Sequence, residues 1–211
     1  MTDIRLASVA GVFYPADRVA LRGQIDAYLR AAGPVPNAAR PPKILIAPHA
    51  GYVYSGAVAA HAHALLAPWR RLVRRVVLLG PAHRVAIRGI AASAATAFDT
   101  PLGAMPVDVD AVAHAIEMPD TCIHEAAHAR EHAIEVQLPF LQVVLEAAAI
   151  VPLLVGLAEP PSVARLMRHL WGGEETVFVI SSDLSHYLSD ATARAVDRAS
   201  VEHILARRPV L

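Results

Sequence analysis

Three segments of the chain share one design: a strand-length apolar run that passes directly into a polar turn carrying a histidine. Lys43 to Tyr52 does so at His49, Arg75 to Arg84 at His83, and Val177 to Tyr187 at His186. A short continuous apolar run bounded by Pro, Gly or Ser is what a strand buried on both faces looks like, since neither face meets water. Such strands usually lie parallel. In an open parallel sheet the loops leaving the carboxyl ends of the strands gather along one edge, where ligands bind. One loop histidine usually does no more than satisfy backbone groups, but three in equivalent positions point to a site.

The rest of the chain alternates strand with helix, which predicts an α/β fold, one domain of three layers with helices on both faces of a largely parallel sheet. At 211 residues, such a domain buries most of its unfolded surface without disulfides. Asp17 is placed to cap a first helix with Leu21, Ile25, Tyr28 and Leu29 on one face. A second helix is expected from Ser55 through Ala67, closed by Pro68, with His61 and His63 on different faces of it. Asp99 to Gly103 has the Pro and Gly of a tight turn, and a short helix is expected over Asp110 to Glu117. On a helix His128, Glu131, His132 and Glu135 follow i, i+3, i+4 and i+7 and form one polar stripe, which Pro139 would interrupt. Further on, Ile150 to Val155 reads as a buried strand and Ser162 as the cap of a helix through Leu170. Ser189 or Asp190 caps a last helix whose Ala193, Val196, Ser200 and Ile204 are expected to face inward.

Charge excludes one class of partner. Lys plus Arg total 19 and Asp plus Glu total 19, so no net positive field exists to condense onto nucleic acid or an acidic membrane. The amino terminus shows no signal peptide, and the longest apolar run, Ala147 to Ala158, is short of the roughly 18 residues that span a bilayer. A cytoplasmic protein is the expectation. The lone Cys122 has no internal disulfide partner and agrees with a reducing compartment.

Neutral imidazole is a common metal ligand because its ring nitrogen donates a lone pair without burying a charge. His49 and His83, on adjacent strand-end loops, are the natural first pair. Two histidines with one anionic ligand and open positions describe a non-haem Fe(II) site, and zinc or copper also suit such donors. His186 reads as an acid/base, with Asp183 three residues earlier to orient it. As a lone aspartate, Asp183 is equally suited to capping the turn.

Ala10 to Asp17, Pro48 to Gly56, Gly80 to His83, Thr100 to Gly103, Glu131 to Leu141 and Ser181 to Tyr187 keep the order and residues of one family. They closely resemble the Memo family (mediator of ErbB2-driven cell motility), called AmmeMemoRadiSam system protein B in prokaryotes. The resemblance implies a fold like the class III extradiol dioxygenases, which use non-haem iron to cleave catechols. It implies His49 and His83 as metal ligands and His186 as the acid/base. It further places Asp183, Glu131 and His132 in the same pocket, with Tyr52, Glu131 and His132 toward substrate. A small molecule or peptide ligand, and radical-SAM and AMMECR1-type partner proteins, are implied in the same way. Family members continue past the last helix, in a segment that supplies a cysteine as third ligand. Residues 1–211 are therefore expected to be one Memo-like domain without that segment. Cys122 does not match the cysteine, which leaves Glu131, Glu135 and Asp183 as substitute donors. With two convincing donors the chain is expected to bind metal without turning over catechols. The alternative is a non-catalytic scaffold, and a zinc hydrolase is a weaker third reading.

Overall fold

A computed structural model describes residues 3–207. The strands are β1 (Ile4–Arg5), β2 (Ile44–Ala47), β3 (Arg75–Pro81), β4 (Ile90–Ala92), β5 (Ala97–Phe98), β6 (Met105–Pro106), β7 (Thr121–Ile123), β8 (Ala149–Val155) and β9 (Thr176–Ser181). The helices are α1 (Arg18–Ala31), α2 (Tyr52–Ala64), α3 (Val109–Ala115), α4 (Glu125–His128), α5 (Leu138–Val144), α6 (Pro160–His169) and α7 (Asp190–Leu205).

The apolar runs become the centre of a six-stranded sheet of order β2-β9-β3-β8-β4-β7. β2, β9, β3 and β8 are mutually parallel, and only the β4–β8 pairing is antiparallel. Val76 to Leu79 in β3 and Ile150 to Leu154 in β8 are buried at every position, which is why neither segment shows the alternation of a half-solvated strand. A small sheet, β1-β5-β6, carries the amino terminus.

Strand order assigns the helices to faces. The β2–α2–β3 crossover advances across the sheet, whereas β8–α6–β9 returns, so right-handed crossovers put α2 and α6 on opposite faces. α1, α2 and α5 pack together on the first face, and α3 joins α6 on the second. The three-layer α/β expectation is met. No helix among the described residues is long and apolar enough to cross a membrane.

Several local expectations hold. Asp17 accepts the Ala20 amide at 2.8 Å, Leu21 and Ile25 are fully buried, and Ser189 caps α7. Others are corrected. α2 begins at Tyr52, after Gly51, because the Ser55 hydroxyl donates to the Ala50 carbonyl (2.7 Å) from within the first turn instead of capping it. Ser162 likewise lies inside α6, which starts at the pair Pro160 and Pro161, residues whose missing N–H costs nothing at a helix start. The polar stripe is not a helix: α4 stops at His128, and Pro139 lies in the first turn of α5, which starts at Leu138, rather than breaking a longer element. α7 does not turn Val196 and Ile204 inward. None of its residues is buried among the described residues.

Candidate metal centre

The three strand-end segments end in register. Ala47 pairs with Ser181, and Leu79 pairs with Ile180 across β9, so their carboxyl ends share one edge. His49, Asp183 and His83 each stand two residues beyond a strand end. A fourth segment reaches the same place, the irregular stretch between α4 and α5. It crosses β3 closely at Gly80, where an added Cβ would lie 3.1 Å from the Ala133 Cβ, tighter than side chains normally pack.

That crossing brings in His132. His49, His83 and His132 each offer one ligand atom, all within 4.8 Å of one another. The His83 and His132 rings stack at 4.8 Å between centroids, and His49 stands edge-on to both. Phe13 covers the His132 ring at 4.7 Å.

The hydrogen bonds around these rings decide which nitrogens are free. Ser181 Oγ donates its single proton to the Ala133 carbonyl (2.6 Å). Toward His49 Nδ1 (2.9 Å) it can therefore only accept, so that nitrogen carries a proton and Nε2 keeps its lone pair. Gln137 fixes the serine by donating to Ser181 Oγ and to the Pro48 carbonyl, both at 2.9 Å, while its own carbonyl accepts from His63 Nε2. His83 is held the same way: Nδ1 donates to Glu131 Oε1 (2.9 Å), again freeing Nε2. Metal-binding histidines are commonly oriented by such outer partners.

Burial favours the neutral forms. It lowers the His49 pKa, with Asp183 opposing, and lowers that of His132 to about 4, with Glu131 opposing. Burial alone would raise Glu131. Hydrogen bonds from the His83 ring and from the Ala133 and His83 amides outweigh it and hold the carboxyl below its usual range. His132 Nδ1 is buried and takes no hydrogen bond, although Glu131 Oε1 is 3.2 Å away, so the protein commits neither nitrogen of that ring. Two lone pairs freed by locked tautomers and a third, uncommitted imidazole whose buried Nδ1 is orphaned fit a divalent metal ion.

Asp183 joins the β2 and β9 loops. Its Oδ1 accepts the His49 and Ala50 amides (2.5 and 3.2 Å), and Oδ2 lies 3.9 Å from both His49 Nε2 and His186 Nε2. The His186 Nδ1–H donates to the Leu184 carbonyl (3.1 Å), which leaves the lone pair on Nε2; the ring is half-exposed at the same sheet edge. Leu184 and Tyr187 flank it in left-handed conformation (φ 63° and 60°), costly for residues with a Cβ and a common mark of functional loops.

Other sequence candidates lie elsewhere. Tyr52 is a core residue whose hydroxyl donates to the Val136 carbonyl (2.7 Å) and whose ring packs on Tyr14 and Phe140. Glu135 is wholly buried against Arg5 and the amino-terminal segment. Of the three carboxylates weighed as third donor, none joins the ligand group, whose third member is His132. Ser181, Gln137 and Phe13 support the site although no histidine or carboxylate pattern points to them. Ser181 was recognisable as the first polar residue after the β9 apolar run, and Gln137 as a polar residue in an otherwise apolar segment.

Fold and site together define an α/β protein with an imidazole-based metal-type pocket at the carboxyl edge of a parallel sheet. The family model described as Memo-like protein matches residues 5–209, and the chain belongs to that family. It is 34% identical to a MEMO1 family protein of Aquifex aeolicus, over 92% of this chain and 72% of the relative. It is likewise 34% identical to one of Sulfolobus acidocaldarius (95% and 76%) and 35% identical to one of Methanopyrus kandleri (96% and 76%).

Proposed function

We propose that this chain is a metal-dependent Memo-family protein of redox type, related in its pocket to the non-haem iron dioxygenases. The observation that carries the reading is the convergence of three imidazoles, two of them with Nδ1 locked against acceptors. His49, His83 and His132 hold one divalent ion, Fe(II) first, with zinc or copper as competitors. Such an ion supplies Lewis acidity and, if iron or copper, one-electron exchange. The protein's own residues then divide the work. His186 takes or returns a proton at Nε2, Asp183 orients the two loops, Glu131 holds His83, and Phe13 keeps water from one face of His132. On the resemblance alone, the reading extends to the cytoplasm, to a small molecule or peptide as pocket ligand, and to radical-SAM and AMMECR1-type partners.

The test is elemental analysis of protein purified without chelators. One equivalent of metal is expected, lost in His83→Ala and His132→Ala with the circular dichroism unchanged. Full metal content in the His49→Ala/His83→Ala double variant would refute the site.

One observation favours a second reading, a binding protein that does not turn over. All three donors are neutral, so Fe(II) would keep its whole double charge and be held less firmly than beside an anionic ligand. Anaerobic Fe(II) loading followed by oxygen and a panel of catechols separates the two. Repeated ring opening that disappears in His186→Ala establishes the enzyme.

A further inference from the structure

A cavity of about 840 Å³ opens between the amino-terminal segment and the loops that carry the donors. Leu6, Val9, Val85 and Ala126 supply an aliphatic wall beside polar surface of similar extent, and the charged side chains lining it are Arg84 and Arg130. No aspartate or glutamate lines it. Ser8, which also lines it, already spends its amide and hydroxyl on Glu135.

Arg84 and Arg130 share their lack of an ion pair with other described arginines, such as Arg18, Arg88 and Arg168; what sets them apart is where they stand. Arg5, Arg22, Arg70, Arg71, Arg75, Arg165 and Arg194 are each paired with a carboxylate. Among the described residues Arg84 and Arg130 form no ion pair. Each is also the chain neighbour of a site residue: Arg84 follows His83, and Arg130 precedes Glu131. Arg84 stands close enough for its charge to act on His132, as a minor contribution beside burial.

Two guanidiniums without a carboxylate partner, at a hollow with one aliphatic wall, suit an anion with an apolar body. Guanidinium presents a planar fork of donors that matches carboxylate and phosphate oxygens, and the volume is that of small-molecule sites, roughly 300–1,000 Å³. We propose that this cavity is the substrate subsite of the metal centre and takes a small organic anion, a carboxylate or a phosphate monoester. Arg84 and Arg130 grip the charged group, the aliphatic wall holds the stem, and the other end of the molecule reaches the imidazoles. Only that last clause rests on the metal reading.

Benzoate, phenyl phosphate, inorganic phosphate and neutral benzamide are titrated by NMR into wild type, Arg84→Gln, Arg130→Gln and the double variant, each metal-free and cobalt(II)-loaded. Both arginines are exposed, so the variants are expected to fold, as circular dichroism would verify. Benzoate or phenyl phosphate should bind, the tighter of the two identifying the headgroup, and benzamide and inorganic phosphate should bind more weakly. Each single variant should weaken binding about tenfold, the loss of one charge-assisted contact. Ligand protons should relax faster in the cobalt-loaded protein. Equal binding of benzamide, or an unchanged double variant, overturns the anion subsite, and inorganic phosphate binding as tightly as phenyl phosphate overturns the apolar stem. Anion binding without paramagnetic relaxation overturns its adjacency to the metal. If cobalt does not load while the metal-free protein still binds the anions, the metal reading falls and the anion site stands.

Discussion

His63 and His128 are enclosed and kept neutral, each lowered to about 4 chiefly by burial, with hydrogen bonds to Gln137 and to the Ala91 carbonyl opposing. An unfolded imidazole titrates near 6.5. Between about 6.5 and 4 the unfolded chain therefore binds protons that the folded chain refuses. Stability is complete above that window and falls as the pH drops through it. Each residue accounts for about 3 kcal/mol at the acid end. His49 and His132 shift in the same direction and add to the effect in metal-free protein. Urea unfolding of metal-free protein at pH 7.5 and pH 5 should show a clearly lower midpoint at pH 5, before most carboxylates titrate. Equal midpoints would mean that these rings are not held neutral. Nothing in the sequence marked His63 or His128 for this role, because burial of a single polar residue depends on what packs over it. His49 and His83 were legible because strand ends place them.

The element on which the site most depends is the stretch from Ala129 to Gln137, which is largely irregular. Arg5 pins it: Nε donates to the His128 carbonyl (3.1 Å), Nη2 to the Glu131 carbonyl (2.7 Å), and Nη1 pairs with Glu135. Glu135 in turn accepts the Ser8 and Val9 amides and the Tyr14 hydroxyl. Both charges are buried, so removing one leaves the other without compensation, at a cost of about 3–5 kcal/mol. Arg5→Met should lose stability of that order in chemical denaturation and retain less metal than wild type under conditions where it stays folded. A folded variant with full metal content would show that His132 is placed without this clamp. The same stretch is where sequence reading failed. The spacing of His128, Glu131, His132 and Glu135 matches a helical stripe, but Pro139 sits in the opening turn of α5. Taken as a start signal, it would have left 129–134 free to be a loop and shown that His132 need not share a face with Glu135.

At the scale of the molecule, the alternation and the parallel sheet were legible because fully buried strands leave unbroken apolar runs. The position of α7 was not, because amphipathic spacing names a face without naming what covers it. Val196, Val201, Ile204 and Leu205 are all exposed, and the Ser185 amide reaches α7 through one hydrogen bond to Asp197 (3.0 Å). Isolated helices of about this length are marginal in water. Hydrogen exchange over Asp190–Leu205 should therefore run far ahead of exchange in β3 and β8. Protection equal to that of the central strands would mean that another surface covers α7 in solution. The order β2-β9-β3 has a consequence for biosynthesis. Among the described strands β9 emerges last from the ribosome, yet it belongs between the first and second strands of the main sheet. Until it arrives, β2 and β3 have no partner on their facing edges, the kind of exposed edge that invites misassembly. A nascent chain stopped at Gly173 already contains His49, His83 and His132, but neither the serine that fixes the tautomer of His49 nor the aspartate that ties its loop. Closure of the sheet and completion of the centre are thus a single event, held back until β9 has been made.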